Sequence, residues 1–278
     1  MRRLANSWAL AKSSWAVLKA DKELAVIPVI SFVCTIVVMA AAGGAVWLTL
    51  DPTSQAGETE ITPTPFTYVV GAVGYLLITF VVTYFAAVLV SGAYQRLTGG
   101  DPTLASAFSQ ASSRIGPLFL WSMLTGTVGL ILQALRDRAG FLGQIVVRLV
   151  GMAWEIVTWL AVPVVVVEGT GPVDSLKRSA SLFKQTWGEN LVAQGGFGIL
   201  GLLVVLPALL VIFVVVPAIP IAGIAIAAIW IAVTSVVLSA LNGIYRTALY
   251  LFASRGQAPA AFSSEELQAA FQPKTRRF

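Results

Sequence analysis

Long apolar runs separated by short polar segments dominate the chain. Six apolar runs are placed at residues 25–50, 66–94, 117–135, 145–167, 191–216 and 218–245. At a rise of about 1.5 Å per residue, each run crosses, or nearly crosses, a hydrocarbon core of roughly 30 Å. The runs are continuous and do not alternate apolar with polar residues, which excludes a β-barrel. The pattern predicts an all-α polytopic membrane protein with six transmembrane helices.

Three amphipathic segments precede the first, third and fifth runs. In each segment, apolar residues recur at i, i+4, i+7 and i+11, which places them in one stripe on a helix. The stripes are Leu4, Trp8, Ala11 and Trp15; Leu104, Phe108, Ala111 and Ile115; and Leu176, Ala180, Phe183 and Trp187. We expect three helices that lie in the membrane interface. Asp101 with Pro102, and Gly171 with Pro172, suit the starts of the second and third helices.

The first and third segments also match each other at a constant offset of 172 residues. The matching residues are Ser7, Leu10, Lys12, Ser14 and Trp15, against Ser179, Leu182, Lys184, Thr186 and Trp187. This match predicts three repeats, 1–97, 98–168 and 169–253, each an interfacial elbow helix followed by a transmembrane hairpin. The second elbow lacks the Lys and Trp, so three unrelated basic linkers are the alternative. The tail, 254–278, is expected either to dock Phe262, Leu267 and Phe271 on the body or to be disordered.

The charges give the orientation and limit the function. The chain is 57% hydrophobic and 11% charged, with a net charge of +5, whereas a soluble domain has roughly 25% charged residues. With both termini in the cytoplasm, every Lys and Arg except Arg136, Arg138 and Arg148 lies on the cytoplasmic side, as the positive-inside rule requires. This distribution explains the basic composition, so we expect no binding of nucleic acid.

The chain has one cysteine, Cys34, and no histidine. Neither an intrachain disulfide nor a cysteine cluster for a metal is therefore available, and the commonest general base is missing. No nucleotide-binding glycine motif occurs. We expect no catalytic residues, no metal and no cofactor.

Glu155 is the principal candidate for an intramembrane site because it lies near the middle of the fourth run. A carboxylate at this depth usually faces a protein interior or water. It serves either in a proton- or cation-coupled site, or as a hydrogen-bonding partner of another span. The candidate polar set is Glu155, Arg148, Thr79, Thr83 and Thr125, with Tyr84 and Thr127 as further partners. Arg148 has the alternative of reaching the outer interface.

Basic and aromatic residues of the first and third elbows form the candidate surface for anionic lipid. They are Trp8, Lys12, Trp15, Lys19, Lys177, Arg178, Lys184 and Trp187. Lysine stems lie on apolar surface while the ammonium reaches the phosphate, and tryptophan prefers headgroup depth. Pro163 and Pro207 interrupt the fourth and fifth runs, either as ordinary kinks or as the broken helices of a transporter.

The run VPVVVVEGTGPVDSLKRSASLFKQTWGEN, from Val162 to Asn190, resembles the signature of a family of uncharacterised six-helix bacterial membrane proteins. The segments 6–24 and 242–253 are similar to the same family, so the likeness covers essentially the whole chain. The elbow followed by Trp is more distantly similar to the membrane domain of glycerophosphodiester phosphodiesterases, whose catalytic domain is separate and absent here. The resemblance implies a multi-pass protein of the bacterial cytoplasmic membrane and assigns no catalytic residue.

We expect a non-enzymatic scaffold that associates with the lipid bilayer, with anionic headgroups, and with a membrane-protein partner or a second copy. The alternative is a transporter or channel for a lipidic or small charged solute that uses Glu155. An intramembrane enzyme is the third hypothesis. It would require Glu168 or Asp174 to meet Arg178 and Arg246 in an enclosed pocket.

Overall fold

The computed structural model describes residues 2–55, 58–187, 207, 219–259, 262 and 267. The elements are α1 Arg2–Ala20, α2 Glu23–Trp47, β1 Leu50–Gln55, β2 Glu58–Pro63, α3 Pro65–Leu97, α4 Leu104–Ser112, α5 Ile115–Arg138, α6 Phe141–Thr158, α7 Ala161–Glu168, α8 Pro172–Trp187 and α9 Pro220–Arg255.

Five stretches are long and apolar enough to cross a membrane, by length and composition. They are α2, α3, α5, the pair α6–α7 and α9, and they correspond to the predicted first, second, third, fourth and sixth runs. The predicted fifth run, 191–216, lies outside the described residues apart from Pro207. The six-span count and the threefold repeat therefore stay predictions.

Both α3 and α9 are longer than the apolar runs that predicted them. At about 1.5 Å per residue, α9 is roughly 54 Å long and α3 roughly 50 Å, whereas the hydrocarbon core is roughly 30 Å thick. Tyr94 and Arg96 near the end of α3, and Arg255 at the end of α9, mark the ends that carry polar residues. Both helices therefore continue past the apolar layer.

A β-hairpin joins α2 to α3, in the polar segment between the first two apolar runs. Strands β1 and β2 pair antiparallel, from Leu50 opposite Pro63 to Gln55 opposite Glu58. The sequence of β2 contains Thr and Ile, which favour extended backbone. Next to the hairpin, Thr64 caps α3, and the hydroxyl of Thr67 donates to the carbonyl of Thr49 at 2.8 Å. This bond ties the start of α3 to the end of α2.

The predicted start of the second amphipathic helix was wrong. Helix α4 begins at Leu104, with Thr103 as its N-cap in a capping box with Ser106. A side chain on the last residue before the helix reaches the free N–H groups of the first turn best. Asp101 instead pairs with Arg96 at 3.5 Å. Helix α8 begins at Pro172, as predicted.

The core is concentrated at one end of the bundle. Buried residues occur near the start of α2 and α5, in the last part of α3 and α9, and throughout α7. At the opposite end, large apolar side chains such as Trp47, Phe66, Phe141 and Ile221 are exposed. We call the end where α2 and α5 begin and α3, α7 and α9 finish the basic end. Apolar side chains exposed over the remaining length are those expected of helices surrounded by lipid.

The three amphipathic helices pack on this basic end. Helix α1 contacts α9, α4 contacts α3, and α8 contacts α6, α7 and α9. Their inward faces include Leu10 and Val17 of α1, Ala107 of α4 and Leu182 of α8, all buried. Phe262 and Leu267 of the tail are buried too, which favours the docked tail over the disordered one, whereas Phe271 lies outside the described residues.

Candidate functional site

The fourth apolar stretch is broken where the amphipathic helix α8 meets it. Pro163 has no N–H to donate to the carbonyl four residues earlier, and its ring crowds that turn. Helix α6 accordingly ends at Thr158 and α7 begins at Ala161. The hydroxyl of Ser179 on α8 donates to the carbonyl of Val157 at 2.6 Å and accepts from the N–H of Leu160 at 3.2 Å. A fully buried serine therefore satisfies the backbone groups that the break exposes.

A second contact ties α7 to both α8 and α9 at the basic end. Glu168 Oε1 accepts from Arg178 Nε at 3.1 Å and from the Tyr250 hydroxyl at 3.0 Å. Both donors use the same carboxylate oxygen, an arrangement that joins three helices. Arg114 lies against Gly169, directly after Glu168, and a Cβ at that glycine would come within 2.5 Å of an Arg114 nitrogen. Gly169 also has a φ of 69°, which favours glycine.

Arg246 on α9 lies over the ring of Trp159, at the break between α6 and α7. The guanidinium carbon is 4.0 Å from the ring centroid, well inside the range of a cation–π contact. Glu155, one turn before Trp159, acts on Arg246 electrostatically. Across the part of the chain that the structure describes, the two form no ion pair. Arg246 Nε and Asn242 Oδ1, one turn apart on α9, are both enclosed without a hydrogen-bond partner.

The residues of the predicted intramembrane site do not form one cluster. Glu155 and Arg148 both lie exposed on α6. Thr79 and Thr125 donate to backbone carbonyls of their own helices, those of Tyr75 and Trp121.

The remaining partners predicted for Glu155 lie on α3 and α5. Thr83 is buried in α3 and Thr127 is exposed on α5. The Tyr84 hydroxyl bonds to that of Ser112 at 2.8 Å. The charge of Glu155 thus acts on Arg246, a residue on a helix that our sequence prediction had not linked to Glu155.

The residues of the predicted lipid surface are mostly on outward faces. Lys12, Lys19, Lys177 and Lys184 are exposed, and Trp15 is 40% exposed with Lys19 Nζ at 5.8 Å from its ring centroid. Arg178 is half-buried and paired with Glu168, so its charge is partly compensated within the protein. Trp8 and Trp187 lie in stretches for which only the backbone is described.

A buried carboxylate, that of Asp21, lies in the short connection between α1 and α2. Asp21 is 6% exposed, and its Oδ2 has no hydrogen-bond partner within the described ranges. Burial raises the pKa of Asp21, opposed by the N–H of Glu23 and by Arg96. Glu23 in turn accepts from the N–H of Leu104 at the start of α4. In the same described ranges, no three Cys, Asp or Glu residues are grouped so as to hold a metal ion.

Comparison with known families bears on the identity of this bundle. Residues 66–260 match the model of a family of unknown function, DUF6159. The chain belongs to this family. The match begins in α3, whereas the resemblance expected from the sequence included residues 6–24. Neither the curated proteins nor the solved structures give a match, so the distant similarity to glycerophosphodiester phosphodiesterases has no support here.

Sequence reasoning missed Ser179 and the Arg246–Trp159 stack. Ser179 lies in an amphipathic segment and carries no signal of its own. A proline such as Pro163 in a span does indicate that a partner must satisfy the freed carbonyl. Arg246 interrupts the end of an apolar run, and a cation there calls for a partner. Arg246 was named from the sequence only in the enzyme hypothesis, and this requirement would have marked it as a residue in need of a partner.

Proposed function

We propose that this protein is a non-enzymatic membrane component that associates with anionic lipid headgroups at its basic end. In this proposal the protein lies in the bacterial cytoplasmic membrane, with both termini on the cytoplasmic side. The five apolar stretches and the membership in a family of unknown function support a membrane protein. One observation supports the association with anionic lipid. Lysines are exposed on amphipathic helices that are themselves packed on the bundle.

Helix α1 has two distinct faces. Leu10, Val17 and Leu18 are buried against the body. Lys12 and Lys19 are exposed seven residues apart, so they project from the same outward face two turns apart. Helix α8 repeats the arrangement, with Leu182 buried and two exposed lysines seven residues apart. Four ammonium groups on anchored helices form a fixed surface, and each contributes about 1 kcal/mol near an anionic membrane.

Lipid retention tests this proposal. The double variant Lys12→Gln/Lys19→Gln would be purified in mild detergent, and retained phosphatidylglycerol and phosphatidylcholine counted by native mass spectrometry. We expect fewer phosphatidylglycerol molecules per protein, with phosphatidylcholine unchanged. Arg136→Gln/Arg138→Gln is the matched control, because it removes the same charge from exposed residues at the opposite end. Equal losses in the two double variants would contradict the proposal.

The break in the fourth stretch favours one second candidate, a transporter or channel for a lipidic or small charged solute. Glu155 lies one turn before the break, and broken helices form solute sites in many transporters. In this hypothesis Glu155→Gln abolishes pH-dependent flux in liposomes. The same flux in wild type and variant would remove Glu155 from any transport mechanism.

The described contacts give less support to the hypothesis of an intramembrane enzyme. Glu168 does meet Arg178, but its Oε1 accepts from both Arg178 and Tyr250, which suits a structural tie. Asp174 is exposed.

A protein partner or a second copy of the chain remains part of the proposal. Cross-linking in native membranes followed by identification of the adducts tests it, and recovery of the uncross-linked chain alone would oppose it.

A further inference from the structure

Arg246 is half-buried at the level where the apolar layer ends. Its position is roughly 39 Å along α9 from Pro220, and Trp159 is roughly 27 Å along α6–α7 from Phe141, at about 1.5 Å per residue. A hydrocarbon core of roughly 30 Å that begins within a few residues of Pro220 and Phe141 would end close to both residues. The pair therefore lies at the headgroup layer of the basic end, where tryptophan is favoured.

The guanidinium of Arg246 lacks the kind of polar partner that three other arginines have. Arg96 and Arg178 pair with carboxylates, and Arg255 donates to the Tyr94 hydroxyl at 2.7 Å. A guanidinium carries five N–H donors. Among the described residues, none accepts a hydrogen bond from Arg246, and its enclosed Nε is unpartnered. What the protein supplies to Arg246 is an aromatic face on one side.

Charge balance points to an anion as the missing partner. Glu155 influences Arg246 without pairing with it, and the Glu155 side chain is itself exposed. A partly desolvated cation in this layer is costly unless it is compensated. A phosphate oxygen matches the fork of a guanidinium, and stacking on Trp159 holds that fork in one plane.

The site has a neighbouring polar group that suits the same ligand. Asn242 lies one turn before Arg246 on α9, and its Oδ1 is also enclosed without a partner. Amide oxygen and nitrogen are interchangeable by a flip of the side chain. The flipped amide would place a donor beside Arg246 on the same helix face.

We propose that Arg246, stacked on Trp159, binds the phosphate of one anionic phospholipid. This inference rests on the proposed association with anionic lipid and adds a discrete site to it, separate from the exposed lysines. Both a lipid headgroup and free phosphate present the required phosphate, so the test must separate them.

The test uses the full-length, delipidated protein in detergent. Binding of dioctanoyl-phosphatidylglycerol, dioctanoyl-phosphatidylcholine and inorganic phosphate would be measured by native mass spectrometry. We expect one saturable phosphatidylglycerol, bound at least about tenfold more weakly by Arg246→Gln, as befits loss of charged hydrogen bonds. Arg246→Lys keeps the charge but loses the planar fork, and should show an intermediate affinity.

Arg255→Gln is the matched control, because it removes an exposed arginine from the same helix that also lies beside an aromatic ring, at 5.6 Å. It should leave the single phosphatidylglycerol bound as in the wild type. Tighter binding of inorganic phosphate than of phosphatidylglycerol would overturn the lipid assignment. Failure of wild-type protein to bind any of the three probes would overturn the site, whether or not the variants fold.

The two proposals fail in different ways. Loss of binding in Lys12→Gln/Lys19→Gln but not in Arg246→Gln would leave the lysine surface standing and remove the discrete site. Loss in Arg246→Gln alone would support the discrete site and remove the lysines from lipid binding.

Discussion

Replacing Ser179 by alanine should destabilise the protein more than the loss of one oxygen atom suggests. Ser179 is fully buried, and its hydroxyl bonds to the carbonyl of Val157 at 2.6 Å and to the N–H of Leu160 at 3.2 Å. Alanine removes both bonds and leaves both backbone groups in place. The loss in the free energy of unfolding therefore measures what the helix break costs when its two backbone groups have no partner.

The magnitude follows from the two backbone groups left without a partner. A buried polar group deprived of its hydrogen bond costs about 1–3 kcal/mol. Hydrogen bonds between helices inside membranes are weaker on average, about 0.6 kcal/mol. Because Ser179 bonds two main-chain groups at once, we expect the free energy of unfolding to fall by about 2–4 kcal/mol.

Unfolding in mixed micelles, followed by circular dichroism, measures this loss. Ser109→Ala is the matched control, because Ser109 is exposed on α4, and it should change the free energy of unfolding by less than about 0.5 kcal/mol. Hydrogen exchange of the Leu160 amide should become faster in Ser179→Ala. A variant as stable as the wild type, with unchanged exchange at Leu160, would refute the reasoning.

Three further substitutions test the packing in the same unfolding assay. Burial raises the pKa of Asp21, so wild-type stability should fall as the pH rises above the ordinary value of 3.8. Asp21→Asn should flatten that dependence and stabilise the protein at pH 7; an unchanged pH profile would contradict it. Gly74→Ala should cost about 1–3 kcal/mol, because its Cβ would lie 2.8 Å from that of Ala42, while Gly43→Ala, in open space, should not; equal effects would contradict the close approach. Ser14→Ala removes a buried hydroxyl that has no partner among the described residues and should raise the free energy of unfolding by about 1 kcal/mol; a lower value than that of the wild type would contradict this.

Five of the six predicted apolar runs correspond to long apolar helices among the described residues, because such helices need little beyond length and hydropathy. The observed boundaries differ from the predicted ones by a few residues at most ends. The last run, 218–245, was expected to continue as a helix to about Phe252, beyond the lipid, and α9 ends close to that residue, at Arg255. Charged and aromatic residues in its last turns pack against the basic end, so tertiary contacts extend the helix past the apolar layer.

The candidate site was harder to predict, because its contacts join residues that are far apart in the sequence. The stack of Arg246 on Trp159 and the bond from Tyr250 to Glu168 span more than 80 residues each. No local periodicity reports such pairs. Glu155 was found because a carboxylate in an apolar run stands out, whereas its charged neighbour depended on how α9 packs beside α6 and α7.

Topology in intact cells tests the central claim most directly, namely that a lipid-embedded bundle presents its basic end to one side of a bilayer. Lys19→Cys and Arg138→Cys, each made in a Cys34→Ala background, would be exposed to a membrane-impermeant maleimide before and after permeabilisation. The account predicts that Arg138→Cys reacts from outside, and that Lys19→Cys reacts only once the membrane is opened. Labelling of both positions from the same side would contradict it.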